Sequence, residues 1–316
     1  MSELPKVIAT VDIGTNSTRL LICSISTSPS GELAISDLER HSNVTRLGDG
    51  VDANGHLDPA ARERVLTALT GYKEIVDLYP VDAISGVLTS AGRDAADGRE
   101  FTEEILARTG IAVRLISGDQ EARLSFAGAT SERRPDGQTI LVCDVGGGST
   151  ELIVGRDSEI LFHTSLAAGV VRQTERHIGL SDPPSSQQLE LIAEEVRGLI
   201  DSEVPDQFRT ATTACIAVAG TATTLAAIDQ SLEPYDPERV HGATVSLGRS
   251  REILKRIAAL PLAKRREVAG LHPDRAPTAV AGAEILCTVL DCFALDRFTA
   301  SEHDILRGEA LRLLKS

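Results

Sequence analysis

Two short segments of this chain repeat one another in residue order. Aligning Asp12 with Asp144 brings Gly14 onto Gly146, Ser17 onto Ser149, Thr18 onto Thr150 and Leu20 onto Leu152. Each segment follows a short apolar run, Val7–Asp12 or Thr139–Cys143, and leads into another, Thr18–Ile25 or Ser149–Val154. Apolar run, glycine-bearing turn, apolar run is the signature of a β-hairpin. A hairpin repeated at domain-sized separation predicts two related domains, each presenting its turn toward a shared cleft. A chain of 316 residues has room for two domains of ordinary size.

The rest of the pattern alternates strands with helices. A third strand is expected over Leu33–Leu38. Asp58 as N-cap and Pro59 at the first helical position open a helix reaching about Tyr79, because Pro lacks the N–H that a first turn leaves unused. Ala83–Leu88 reads as a strand, Asp97–Arg108 as a helix and Val113–Ile116 as a strand. Ser117 and Gln120 fit a capping box for a helix that carries Glu121 in its first turn and runs to about Gly128. The polar segment Ser131–Gln138 is the expected linker. Beyond it come helices over Gln187–Ile200, Arg251–Leu260 and Ala279–Phe293, a strand at Ala214–Val218 and a final helix over Asp304–Leu314. The fold class is therefore α/β. The domains are expected at residues 1–130 and 131–301, with a C-terminal helix (302–316) packing back on the first.

Composition excludes several functions. With no Trp, three Tyr and six Phe, the cores must be aliphatic. The five cysteines form no CxxC pair and sit in apolar segments, as buried reduced thiols do. The seven histidines are scattered, so no zinc site is indicated. A net charge of −14 argues against nucleic acid or membrane as partner. The stretch from Arg249 to Arg275 is locally basic, either as a solvated helix face or as a track for an anionic substrate. No apolar run is long enough to span a bilayer and the N-terminus has no signal-peptide character, so a cytoplasmic location is expected.

The composition of the paired turns points to phosphate. Glycine lets the backbone approach a ligand, and successive N–H groups make an anion-binding concavity. Ser17, Thr18, Ser149 and Thr150 can offer hydroxyl donors. Asp12 and Asp144 would repel phosphate unless a hard cation lay between, which implies Mg²⁺. Neither turn is a Walker A motif, since no Lys-Ser/Thr follows the glycines.

At these residues the sequence resembles a known family. Val11–Leu20 and Asp144–Leu152 are similar to the paired phosphate loops of the exopolyphosphatase/guanosine pentaphosphate phosphohydrolase family. Thr89–Ala95, Ile116–Arg123, Ala219–Thr223 and Ser301–Gly308 fit it as well, in the family's order. The resemblance implies two ribonuclease-H-like (actin-like ATPase) domains with an interdomain cleft. It implies Glu121 as the general base that activates water, with Asp144 and Glu151 positioning metal and water, and Asp12 as a further metal ligand. It assigns phosphate contacts to Asp12, Gly14, Asn16, Ser17, Thr18, Arg19, Arg93, Gly146, Gly147, Gly148, Ser149, Thr150, Gly220 and Thr221. Mg²⁺, or Mn²⁺ in its place, is the implied cofactor, and a homodimer the implied assembly.

The expected activity is removal of the terminal phosphate of inorganic polyphosphate. The alternatives are hydrolysis of guanosine pentaphosphate, or binding of guanosine tetra- or pentaphosphate without hydrolysis. A sugar kinase would share both loops but needs insertions that form a sugar pocket. The chain departs from the family at Pro277, where an Asp is usual two residues after Arg275, which puts a role for Arg275 in doubt. It also has no long helical C-terminal extension, which suggests a preference for short polyphosphate chains.

Overall fold

The structure, a computed structural model, describes residues 5–27 and 33–315. Two compact units divide the chain: one runs to Gly128 and is completed by the segment from Ile305, and the other is Ala129–Asp304. The first is built on five strands, β1 (Lys6–Ile13), β2 (Ser17–Thr27), β3 (Leu33–Val44), β4 (Ala83–Leu88) and β5 (Val113–Leu115), in the order β3-β2-β1-β4-β5. β1, β2 and β3 are antiparallel neighbours, whereas β4 and β5 join in parallel.

The second unit has β6 (Thr139–Val145), β7 (Thr150–Arg156), β8 (Glu159–Leu166), β9 (Ala214–Val218), β10 (Thr244–Ser246) and β11 (Arg297–Ala300), in the order β10-β11-β9-β6-β7-β8. Read from β8, this is the order of the first sheet with β10 added at the far edge. Both sheets have the ribonuclease-H-like order, and the repeated hairpins are β1–β2 and β6–β7.

β1 is flanked on both sides and buried on both faces, which is why it reads as an almost unbroken apolar run. Alternation sends Ala9, Val11 and Ile13 into one core with Val65, Leu69 and Tyr72 of the helix Pro59–Val76 and Phe101 of the helix Gly98–Thr109. Ile8 faces the other way and packs with Leu21, Cys23, Leu306 and Ala310. That second face is therefore closed by the helix Ile305–Leu314. Thr10 Oγ1 donates to Leu306 O at 3.0 Å. Glu309 is fully buried and accepts from Ser85 Oγ on β4 and from Arg114 on β5. A Cβ at Gly308 would lie 1.9 Å from Leu124 O, so this helix touches the helix Gly118–Ala129 backbone to backbone.

The second core is aliphatic, as the scarcity of aromatics requires. Leu141, Cys143 and Val145 of β6 pack with Val196 of the helix Ser186–Glu203, Leu225 of Ala219–Asp229, Ile253 of Leu247–Ala258 and Leu286 of Ala279–Cys292.

Local signals hold in detail. Asp58 caps its helix by accepting from Ala60 N and Ala61 N. Ser117 and Gln120 form both bonds of the capping box. The cysteines are free thiols. β3 extends past Leu38 to Val44, because an edge strand needs no apolar outer face. The polar 131–138 segment is tied down: Asp157 Oδ1 accepts from Asp136 N and Gly137 N. Within the locally basic stretch Arg249 bonds Asp229 and Glu252, Arg251 bonds Asp291, and Arg265 is buried against backbone carbonyls. Among the described residues no helix is long and apolar enough to cross a membrane.

Candidate active site

The β1–β2 ladder ends at Ile13 opposite Thr18, and Gly14 N–H donates to Ser17 O at 2.9 Å to close the turn. The β6–β7 ladder ends at Val145 opposite Thr150, and Gly146 N–H donates to Ser149 O at 3.0 Å. The two turns are thus the same turn, built from aligned residues.

Their registers match as well, and the residues in them differ in charge. Asp12 stands opposite Arg19, and Arg19 donates to its Oδ2 through Nε at 3.0 Å and Nη2 at 2.6 Å. Asp144 stands opposite Glu151. Both are buried, and Glu151 Oε1 accepts from Ser149 Oγ at 2.6 Å and Ser165 Oγ at 2.9 Å. Like charges directly opposite in a ladder repel. A hard cation is what such a pair accommodates, since carboxylate oxygens suit Mg²⁺. Asp144 and Glu151 therefore fit a divalent ion, whereas at Asp12 the guanidinium of Arg19 already supplies positive charge.

In the first unit two further residues join the turn. Arg93, on the short helix Ser90–Asp94 that follows β4, donates to the carboxylate of Glu121. Glu121 lies in the first turn of the helix Gly118–Ala129 and is only 8 % exposed. Burial pushes its pKa up, Arg93 opposes that rise, and Asp12 adds to it while Arg19 lessens it. Asp12, Arg19, Arg93 and Glu121 thus share one electrostatic environment.

In the second unit the helix Ala219–Asp229 starts where β9 ends. Ala219 adopts a positive φ of 60°, an uncommon backbone state for a residue with a side chain that tends to mark functional turns. Thr221 Oγ1 donates to Val145 O at 3.3 Å, which joins this turn to the base of the glycine loop. Arg275 lies over Gly220, donating to Gly220 O and Thr224 Oγ1. This packing was not legible from the Pro277 departure. Ser165 was also missed, because half-exposed β8 gives a weak strand signal.

Thr18 and Thr150, expected to donate to phosphate, are fully buried and bonded inward. Thr18 Oγ1 bonds Thr45 Oγ1, and Thr150 Oγ1 donates to Ala168 O. Alternation along the strand explains it: each threonine precedes the residue facing the aspartate, so it points to the other face.

A separate cluster joins Glu132, His241 and His303, with ligand-type atoms within 4.8 Å of one another. His241 Nδ1 accepts from Glu302 N–H, so its Nε2 carries the proton and is a donor rather than a metal ligand.

Two ribonuclease-H-like units, each with a glycine turn beside a buried acidic strand end, place the molecule in the duplicated actin-like ATPase fold class. Within that class the chain belongs to the Ppx/GppA phosphatase family, whose sequence model matches residues 24–315. It is 36% identical to exopolyphosphatase 2 of Mycobacterium tuberculosis over 97% of this chain and 98% of that protein. Among solved structures it is similar to an exopolyphosphatase from Cytophaga hutchinsonii, with TM-score 0.86 and 25% identity over 98% of each chain. It is also similar to the Aquifex aeolicus Ppx/GppA family member, with TM-score 0.81 and 28% identity over 98% of each chain.

Proposed function

We propose that this protein is an exopolyphosphatase that hydrolyses the terminal phosphoanhydride of short polyphosphate chains, with Glu121 as general base. The observation that carries the reading is the state of Glu121: a buried carboxylate with a raised pKa, held in place by Arg93. A base works best with a pKa brought toward the operating pH, and a guanidinium bond fixes where its free oxygen points. Kinship with exopolyphosphatase 2 supports the substrate class.

In this reading water attacks the terminal phosphorus in line with the bridging oxygen. Glu121 takes the water's proton as the new P–O bond forms. The bridging P–O bond breaks, its electron pair leaves with the shortened chain, and orthophosphate departs. In the second unit the N–H groups of Gly147, Gly148 and Ser149 take phosphate oxygens, with Gly220 and Thr221 on the neighbouring turn; in the first unit Asn16 and Ser17 are the corresponding donors. Arg93 orients Glu121 and lies beside the terminal group, where a planar fork can offset developing charge. Mg²⁺ bound through Asp144 and Glu151 would neutralise phosphate charge. Little covalent chemistry is asked of the protein, as is usual for phosphoryl transfer.

The test is orthophosphate release with Mg²⁺ from tripolyphosphate, long-chain polyphosphate, guanosine pentaphosphate and ATP, for wild type and Glu121→Gln. Fastest release from short polyphosphate, falling about 10²- to 10⁴-fold in the variant, supports the proposal. Preferred release from guanosine pentaphosphate would reassign the substrate. Tight binding of guanosine tetraphosphate with no hydrolysis of anything would make the protein a sensor and overturn the reading.

A further inference from the structure

The carbonyl oxygens of the second glycine turn are all engaged from one segment. Val170 N–H donates to Gly146 O and Val171 N–H to Gly147 O, each at 2.8 Å. Arg172 Nε donates to Gly148 O at 2.9 Å. A trans peptide points the N–H of one residue opposite to the C=O of the residue before it. Fixing these carbonyls on one side therefore turns the N–H groups of Gly147, Gly148 and Ser149 together toward the other. Neighbouring N–H groups that share a direction form an anion-binding concavity.

The first unit repeats the device. Gly48 N–H donates to Thr15 O at 2.9 Å, and Thr45 and Arg46 N–H donate to Asn16 O at 3.0 and 2.9 Å. This directs the N–H groups of Asn16 and Ser17. In both units the bracing segment follows the third strand of the hairpin sheet, β3 or β8. In both it is anchored by the aligned inward-facing threonine, Thr18 to Thr45 and Thr150 to Ala168. The braces sit hard against the turns: a Cβ on Gly169 would lie 2.3 Å from Gly147 O, and one on Gly48 would lie 2.2 Å from Thr15 Cγ2. The copies differ in what serves the aligned third carbonyl: backbone N–H groups donate to Asn16 O in the first unit, and the Arg172 side chain donates to Gly148 O in the second.

We propose that Arg172 is a positioning residue, which orients the N–H groups of the second turn for a phosphate by bonding the Gly148 carbonyl. This rests on the phosphatase reading above. An arginine beside a phosphate loop would ordinarily be assigned to the phosphate itself through its charge. The two roles separate cleanly by substitution. In Arg172→Gln the amide nitrogen stands the same number of bonds from Cβ as the arginine Nε, so the donor is kept and the charge is lost. Arg172→Met fills similar space with no donor.

The experiment measures tripolyphosphate hydrolysis, melting temperature and amide ¹H–¹⁵N shifts on tripolyphosphate addition for wild type and both variants. Arg172→Gln should keep kcat within about threefold, while Arg172→Met loses about 10- to 100-fold in kcat with a smaller change in KM. The amides of Gly147, Gly148 and Ser149 should shift in wild type and Arg172→Gln but not in Arg172→Met, with all three proteins folded. Equal loss in both variants would overturn the proposal in favour of direct charge contact, and full activity in Arg172→Met would overturn it outright. Absence of those amide shifts in wild type would do the same. If wild type hydrolyses nothing yet shows shifts that only Arg172→Met abolishes, the phosphatase reading fails and the positioning role stands.

Discussion

Glu151 stands directly opposite Asp144 across the β6–β7 ladder. The aligned position opposite Asp12 holds Arg19, so one hairpin carries its own cation and the other presents two carboxylates. Glu151→Gln should therefore raise the Mg²⁺ concentration for half-maximal activity by about 10- to 100-fold, with the melting temperature little changed. Activity titrated against Mg²⁺ checks this; an unchanged midpoint would remove Glu151 from the ion's surroundings.

Arg93 is the main influence restraining the upward push of burial on the Glu121 pKa. A general base must be ionised, so activity is lost as pH falls through its pKa. Removing the guanidinium in Arg93→Met raises that pKa further and should move the acidic limb of the pH–rate profile toward alkaline pH. A limb that stays in place would mean the limb reports another group.

Glu309 behaves in the opposite sense. Burial would raise its pKa, but hydrogen bonds from Arg312, Ser85 and Arg114 outweigh that and lower it. Its ionised form favours the folded state, so its contribution is fully present above the unfolded carboxylate pKa of about 4.3 and is lost as pH falls through the depressed value. Glu309→Ala should cost roughly 3 kcal/mol at pH 7, read by urea unfolding, and the deficit should shrink below about pH 4.

Glu284 supplies a contrast on the helix Ala279–Cys292. Burial first, then Glu190 and Asp291, push its pKa up to about 7, against the pull of Arg251 and Arg197. The folded state holds this proton more tightly than the unfolded chain, so stability declines as pH rises from the unfolded pKa to about 7. Glu284→Gln should be more stable than wild type at pH 8 by about 1–2 kcal/mol and indistinguishable at pH 4. Equal stability at both pH values would show that the carboxyl is ionised without penalty.

The central hairpins and the Ser117 cap were legible because apolar alternation and turn chemistry agree there. β8, β10 and β11 were not: each is short or half-exposed, so its partners rather than its own residues define it. At the site, turn chemistry pointed to Asp144 and the family resemblance to Glu151 and Glu121, while the inward direction of Thr18 and Thr150 follows from alternation once the register of Arg19 and Glu151 is set. Ser165, Arg172 and Arg275 come from segments remote in sequence, and only the folded backbone brings each to its loop.

The helix Ile305–Leu314 closes the open face of β1 and touches the helix that bears Glu121. Every residue of the second unit precedes it in the chain. Until it is made, the first unit's sheet is bare on one side, whereas the second unit needs nothing that follows Asp304. The unit that is begun first is finished last, and Glu121 gains its final packing only when synthesis has passed Ile305.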